Sequence, residues 1–555
     1  MADVDADDLE AAGNAALGAG QWIEARDAFE AALSASESAG AAFGLAGALW
    51  WLGESQASVD SSTRAYALYR RADDVEGAVR SATWLCVTYK SNFANFAAAN
   101  GWIARAERLL RPVEIGPLHA WAWVARAYQM PDLDAAAELT ERALAVAKEC
   151  HDVDLELVAL SQLGRTRVAM GDSTPGFAMI DEAMAAALGG ERSSLDTVVY
   201  TCCDMLNACE VATDLERAAQ WCRVADGFIE QYGCPFLYAE CRTLYGGVLV
   251  DSGRWDDADR ELVAALHITA GTCPALHSKA LTRLAGLRIR QGRLEEAHQL
   301  LLELDERVDA DAESALTRAA LLLARGDATS ASRVLAARAG ASSRSLTTGA
   351  ITFELLVDAH LAAGELDAAT AAAERLTTLA ATIGGDRARA SAASARGRVE
   401  FAKGEVDAAV ASLESALHAW SSLGLPYETA RCTFELSRVT AVRRPMDAVE
   451  HAQRALTSFE RLGAVIDADR VAAFLRSLGV TTRVGPKRVG ILTAREQEVL
   501  RLLGLGLSNP ELAERLHVSR KTASHHVSSI LTKLGLRNRA EVAAYAVRNA
   551  EPTRD

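Results

Sequence analysis

The sequence predicts an all-α protein: a long array of paired helices followed by a small four-helix domain. Three observations carry that expectation. Half of the 555 residues are hydrophobic and alanine is abundant, a composition that favours helices lying close together. Only 11 prolines interrupt the chain, aromatic residues make up 6%, and no series of alternating apolar and polar residues marks strands. A turn residue followed by small and apolar residues at fixed offsets recurs along most of the length.

The recurring unit has a turn residue, an alanine five positions on, an apolar residue nine on and a small residue twelve on. Gly20 leads to Ala25, Phe29 and Ala32; Gly253 to Ala258, Leu262 and Ala265; Gly404 to Ala409, Leu413 and Ala416. Gly292, Gly326 and Gly364 open similar blocks, and weaker copies are anchored at Gly53, Asn92, Pro131, Gly171, Thr213 and Arg443. This pattern resembles the tetratricopeptide repeat, with a period of roughly 40 residues against the usual 34. The resemblance implies an α-solenoid of about a dozen helix pairs. Each pair cannot bury its apolar stripes alone, so stacking completes the core. The alanine lets the second helix approach the first, the residue nine on is a knob between neighbouring pairs, and glycine ends the first helix in a left-handed cap.

The array has a concave face, and seven of the ten tryptophans lie at or before Trp123. Adjacent helical positions differ in direction by about 100°, so Trp50 and Trp51 cannot share one packing slot, nor can Trp121 and Trp123. These four are candidates for a ligand or partner surface, with core filling as the alternative. His119, His151, His267, His277 and His360 are scattered and form no ligand set. Of ten cysteines, six fall between Cys202 and Cys241 without a CxxC or zinc spacing, which reads as small buried hydrophobes. No metal or cofactor is expected. The stretch Gly479–Gly490 holds glycines and one proline that block a continuous helix. The expected organisation is an array over 1–478, a linker over 479–490 and the small domain over 491–555.

In that last part, Leu492 to Ala546 reads as four short helices with their own caps. Thr493 with Glu496, Ser508 with Glu511 and Asn538 with Glu541 form capping pairs, and Ser519 caps the third helix. A tight turn, Leu516-His517-Val518-Ser519, joins the second helix to a long basic third one, the pattern of a helix-turn-helix. The segment resembles the LuxR-type (GerE-like) DNA-binding domain. The matching residues include Leu492-Thr493, Arg495-Glu496, Glu498-Val499-Leu500, Gly506-Leu507-Ser508-Asn509, Leu512-Ala513, Leu516, Val518-Ser519, Thr522, His526-Val527, Ile530, Lys533-Leu534-Gly535 and Asn538-Arg539. The chain departs where the family has Val-Lys, here Ala523-Ser524, and where it has an asparagine, here Ser529; one positive charge leaves the reading face.

The resemblance implies that Ser524, His525 and Ser528 meet base edges and that the fourth helix supplies a dimer contact, here Val542, Tyr545 and Ala546. Arg520, Lys521, Thr522 and Lys533 suit phosphates, as do the helix N-terminal amides near Ser508 and Asn509. On the other side, Val527, Ile530, Leu531 and Leu534 form an apolar stripe expected to pack on Val499, Leu503, Leu512 and Leu516.

Charge supports the same division. The net charge is −16, but Lys487–Asp555 holds 12 basic and 7 acidic residues, or +5, leaving −21 for the rest. The chain has no Gly-Lys dipeptide and so no P-loop; GxSxG, HExxH and GxGxxG runs are absent too. It resembles the carboxyl-terminal half of large regulators that carry an ATPase module ahead of such repeats, and nucleotide-driven switching is not expected. The chain is therefore expected to be a cytoplasmic, non-enzymatic transcription regulator. Its partners are double-stranded DNA, bound as a homodimer, and a small ligand or protein at the repeats, but no membrane. The alternative is a helical-repeat scaffold whose tail only dimerises.

Overall fold

The computed structural model describes the chain apart from residues 1–4, 213, 305–311, 340–345, 384, 481–487, 490–491, 517–518, 535–540, 543–545 and 547–555. It forms two compact units, Met1–Leu462 and Gly463–Asp555.

The first unit contains, among the described residues, 24 helices from Ala6–Gly18 to Pro445–Leu462, which is twelve antiparallel pairs. The expected turn anchors fall at the junctions within pairs, except Asn92, which lies in the last turn of helix Val75–Phe93. Gly20, for example, lies between helices Ala6–Gly18 and Trp22–Ala35 with a φ of +74°, in the left-handed region where a side chain is strained. Thr213 lies outside the described residues. The offset residues do what the repeat requires. Ala25, Phe29, Ala32, Ala258, Leu262, Ala265, Ala409, Leu413 and Ala416 are all buried.

The knob is visible at Phe29. A Cβ added to Gly13 would meet the Phe29 ring at 2.7 Å, and one added to Gly44 would meet it at 2.3 Å. The ring is thus held between the preceding helix and the following one, and both glycines are needed for that approach.

The array coils until helices distant in sequence touch. The Trp22 indole N–H donates to the Tyr232 carbonyl at 2.5 Å, and the Tyr128 hydroxyl donates to Asp204 Oδ2 at 2.7 Å. Cys273 Sγ reaches the Asn92 carbonyl at 3.5 Å. Further along, Arg387 Nη1 pairs with Asp251 Oδ2 at 2.6 Å and Arg290 Nη2 with Glu428 Oε1 at 3.2 Å. Burial raises the energy of these charges, and the pairing offsets it. For Asp251, the Arg387 and Arg290 charges outweigh the upward effect of burial and hold its carboxyl below the usual range.

This coiling corrects the expectation for Trp50 and Trp51. They are 8% and 3% exposed and form no platform. They do occupy different slots, as their directions require, but both slots are interior. Trp50 sits against Trp84 and Phe236, at ring distances of 5.8 Å and 5.3 Å; Trp51 stacks on Trp22 at 4.2 Å and lies 6.3 Å from Phe228. The wall of each slot comes from residues nearly two hundred positions later, which a repeat pattern does not encode. Trp121 and Trp123 are half-buried. The Trp121 N–H donates to Asp152 Oδ2 at 3.3 Å, and the Arg142 guanidinium lies 4.4 Å above the Trp123 ring.

The cysteines behave as small hydrophobes. All ten are free thiols, and Cys202, Cys209, Cys234 and Cys241 are buried. Burial pushes the Cys234 thiol up to about 12, so it carries no thiolate at neutral pH. No helix among the described residues is long and apolar enough to cross a membrane.

The second unit opens with the helix Val465–Ser477. Strand Arg488–Val489 pairs antiparallel with Leu492–Thr493, a short ladder within the stretch read as linker and helix entry. Helices Ala494–Gly504, Asn509–Arg515 and Arg520–Leu534 follow. Of the expected fourth helix, Glu541, Val542 and Ala546 are described, and all three are helical.

Candidate nucleic-acid interface

Two helices of the second unit, Asn509–Arg515 and Arg520–Leu534, are set by their caps. Ser508 precedes Asn509–Arg515, and its backbone N–H donates to Glu511 Oε2 at 2.6 Å, the reciprocal arm of a capping box. Ser519 precedes Arg520–Leu534, and its hydroxyl accepts from the Thr522 N–H at 3.1 Å. Of the tight turn between them, His517 and Val518 lie outside the described residues, as does Asn538.

Apolar side chains then lock the helices together. Val499, Leu503, Leu512, Leu516, Ala523, Val527 and Ile530 form one buried cluster, with Leu531 partly buried against it. The side chain of Leu534 lies outside the described residues. Ala523, a departure from the family pattern, is fully buried, so this exchange alters packing and leaves the reading face alone.

With that side inward, the opposite side of Arg520–Leu534 faces solvent. Arg520, Thr522, Ser524 and Ser528 are exposed. Ser508 is exposed and Asn509 half-buried at the start of the neighbouring helix. Lys521, His525 and Lys533 lie in the same long helix, and their side chains are outside the description. The fold therefore brings Ser508, Asn509, Arg520, Thr522, Ser524 and Ser528 onto two adjacent helices.

Two contacts were not foreseen. Asn509 Nδ2 donates to Ser524 Oγ at 3.0 Å, joining an expected phosphate contact to an expected base reader. Ser529 Oγ donates at 2.5 Å to Oε1 of Glu496, which is only 4% exposed, so the third helix is bonded to the first. The only sequence signal for the second was the departure at Ser529, where a shorter polar side chain replaces the family asparagine.

The expected dimer contacts need correction. Val542 is fully buried in the same cluster as Val499 and Leu503, and Ala546 is 9% exposed. A Cβ on Gly504 would come within 2.8 Å of the Ala546 Cβ. Both side chains pack on the first helix of their own copy, because a three-helix core this small leaves an apolar face for the fourth helix to close. Tyr545 lies outside the described residues.

Comparison with known proteins adds to this geometry. The family described as "Bacterial regulatory proteins, luxR family" matches residues 490–546, and the "MalT-like TPR region" matches residues 122–424. Over 70 residues the chain is 44% identical to the transcriptional regulatory protein LnrK of Bacillus subtilis (strain 168), covering 13% of this chain and 32% of that protein. Over 116 residues it is 36% identical to the putative HTH-type transcriptional regulator Mb0914c of Mycobacterium bovis, covering 21% of this chain and 12% of that protein. Over 58 residues it is 47% identical to the oxygen regulatory protein NreC of Staphylococcus aureus (strain JH9), covering 10% and 27% respectively. The chain thus spans about a third or less of the length of these curated relatives.

Proposed function

Because the chain belongs to the family of the MalT-like TPR region, which matches residues 122–424 of 555, and carries a luxR-family domain at 490–546, we propose that it is a DNA-binding transcriptional regulator. The carrying observation is the helix Arg520–Leu534. Ala523, Val527 and Ile530 are buried on one side, while Arg520, Thr522, Ser524 and Ser528 are exposed on the other. A helix with that division fits the major groove: its serines reach base edges and its cation and N-terminal hydroxyl reach phosphates.

In this reading Ser524, His525 and Ser528 read bases. Ser508, Asn509, Arg520, Lys521, Thr522 and Lys533 hold the backbone. A single domain of this size buries too little surface for tight specific binding, so two copies act on half-sites about one helical turn apart. The repeat region over 1–478 acts as the sensor, tethered through 479–490, and binding of a ligand or protein there decides when the domain over 491–555 engages DNA.

Footprinting with the full chain on its own upstream region tests the proposal. A protected pair of half-sites, lost when Arg520 and Ser524 are both changed to alanine, is the expected result. A chain that protects no duplex but still dimerises would instead be the helical-repeat scaffold.

A further inference from the structure

The coil touches itself along two seams, and the two are built from different chemistry. In the first, helices Trp22–Ala35 and Ala39–Trp51 meet helices Asp196–Ala212, Leu215–Tyr232 and Pro235–Asp251. Trp22, Trp50 and Trp51 are at most 8% exposed there, packed on one another and on Phe228 and Phe236. Two indole N–H groups donate across it, Trp22 to the Tyr232 carbonyl and Trp51 to Asp196. The ion pairs of Arg26 and Arg64 stay on one side, and among the described residues none crosses this seam.

In the second seam, helices Pro235–Asp251 and Pro274–Gln291 meet helices Asp386–Ala402 and Pro426–Thr440. Here charges make the join. Arg387 pairs across it with Asp251, and Arg290 with Glu428. Arg290 also lies 3.4 Å from Asp251 and 5.0 Å above the Tyr427 ring, which stands 5.8 Å from Trp255. Beside these contacts an open cavity of about 480 Å³ leaves part of the seam unpacked, with Ser252, Gly253, Pro426, Arg461 and Leu462 among its walls.

That difference decides which seam yields. Withdrawing indoles from their slots loses apolar burial at any salt concentration. Ion pairs that water reaches behave otherwise, because dissolved ions screen them and another charged group can replace either partner. The Arg387, Arg290 and Asp251 side chains are 33%, 23% and 21% exposed, so solvent reaches all three.

We infer that the second seam is a gate in the repeat array, which opens when charges from outside compete for Asp251, Arg290, Arg387 and Glu428 while the first seam stays shut. That the gate serves sensing rests on the reading of the repeats as a sensor; the opening itself rests on the chemistry of the two seams. Hinged opening about a fixed contact is a common form of such a switch.

Each seam accepts a thiol pair as a probe. A Cβ built on Gly53 lies 3.6 Å from the Pro235 Cβ, and one on Gly253 lies 3.8 Å from the Pro426 Cβ. Both fall within the ~3.5–4.5 Å spanned by a disulfide. Gly53→Cys with Pro235→Cys, and Gly253→Cys with Pro426→Cys, are made in the full chain, and thermal unfolding establishes that each is folded. In glutathione buffers of set ratio, the fraction of each disulfide, mapped by peptide mass spectrometry, reads how closed its seam is. Between 50 and 500 mM NaCl the disulfide-forming equilibrium of the 253–426 pair should fall roughly three- to tenfold, and that of the 53–235 pair by less than about twofold. Adding Arg387→Gln to the 253–426 pair should give the loss already at 50 mM and remove most of the further response to salt. Small-angle scattering gives a second reading free of new cysteines: the radius of gyration should rise with salt in wild type and be raised at low salt in Arg387→Gln.

Equal responses of the two pairs, or a response of neither, overturn the inference. So does a 253–426 pair that forms no disulfide at low salt, or an Arg387→Gln chain that matches wild type in both readings. No arm uses DNA, so the DNA-binding reading stands or falls separately, on its footprint.

Discussion

The Trp51 indole N–H donates to Asp196 Oδ1 at 2.9 Å although 145 positions separate them in sequence. The bond is one rung of a tie between the first helix pairs and later ones. Trp51 stacks on Trp22 with an interplanar angle of 8°, and Trp22 in turn donates to the Tyr232 carbonyl. The inner side of the coil is therefore filled by its own later helices, and the aromatic residues there hold the coil closed.

Asp196 gives this tie a pH dependence. Burial raises its carboxyl to about 6 from an ordinary 3.8; the Trp51 bond pulls it partly back, and the Asp154 charge pushes it further up. A carboxyl that binds its proton more tightly in the folded chain favours the folded state at low pH, so its contribution to stability falls as pH rises from about 4 to 6. Asp196→Asn keeps an acceptor for Trp51 and removes the charge. At pH 7.5 the variant should be more stable by about 2 kcal/mol, and the 4-to-6 slope should flatten. Thermal midpoints across that range check it, and an unchanged slope would remove Asp196 as the source.

Phe29 tests the knob. Truncation to alanine leaves a cavity between Gly13 and Gly44, where the backbone is already in close approach and cannot collapse further. The expected cost is about 3–5 kcal/mol. In a repeat array the loss is local, so hydrogen exchange should accelerate in helices Ala6–Gly18, Trp22–Ala35 and Ala39–Trp51 and stay unchanged near Trp420.

The Ser529–Glu496 bond predicts a graded pair of effects. Ser529→Ala removes a donor from a buried carboxylate and should loosen helix Arg520–Leu534 by about 1–2 kcal/mol. Glu496→Gln retains an acceptor and should cost less. Amide exchange in that helix, measured in the full chain, distinguishes the two; equal protection in all three proteins would mean the bond contributes nothing.

Val542 separates a core residue from a dimer contact. A glutamate at this fully buried position should unfold the domain outright, at a cost above about 3 kcal/mol. A folded variant that is merely monomeric would restore Val542 to the interface between copies.

Binding to duplex DNA should depend steeply on salt. A dimer displacing about 8 counterions gives a slope near −7 for log affinity against log salt. Titration from 50 to 200 mM salt reads it, and a flat profile contradicts phosphate-led binding.

Much of the molecule was legible before folding. The turn anchors and offset residues from Gly20 to Arg443 mark twelve helix pairs, and Ser508, Glu511 and Ser519 mark where the helices of the small domain begin. Its buried stripe, Val527 and Ile530 against Val499 and Leu503, followed from helical spacing. These features depend on interactions within a few residues or on a periodicity that repeats, so a linear reading captures them.

What the linear reading missed lies between distant segments. For Trp50 and Trp51 a surface and core filling both stayed open because only their own repeat was in view; Phe236 and Phe228 cover them from the far side of the coil. Val542 and Ala546 matched a contact position by resemblance, but the small domain uses them to close its own core. Asn509 and Ser524 were assigned separate partners, and proximity joined them to each other. Local sequence determined which residues form helices and which face each helix buries. Only the tertiary structure decided how far the array coils and which side chains meet. The pitch of a coil and the meeting of two helices depend on summed rotations and contacts across long stretches of chain, and no single repeat or motif contains them.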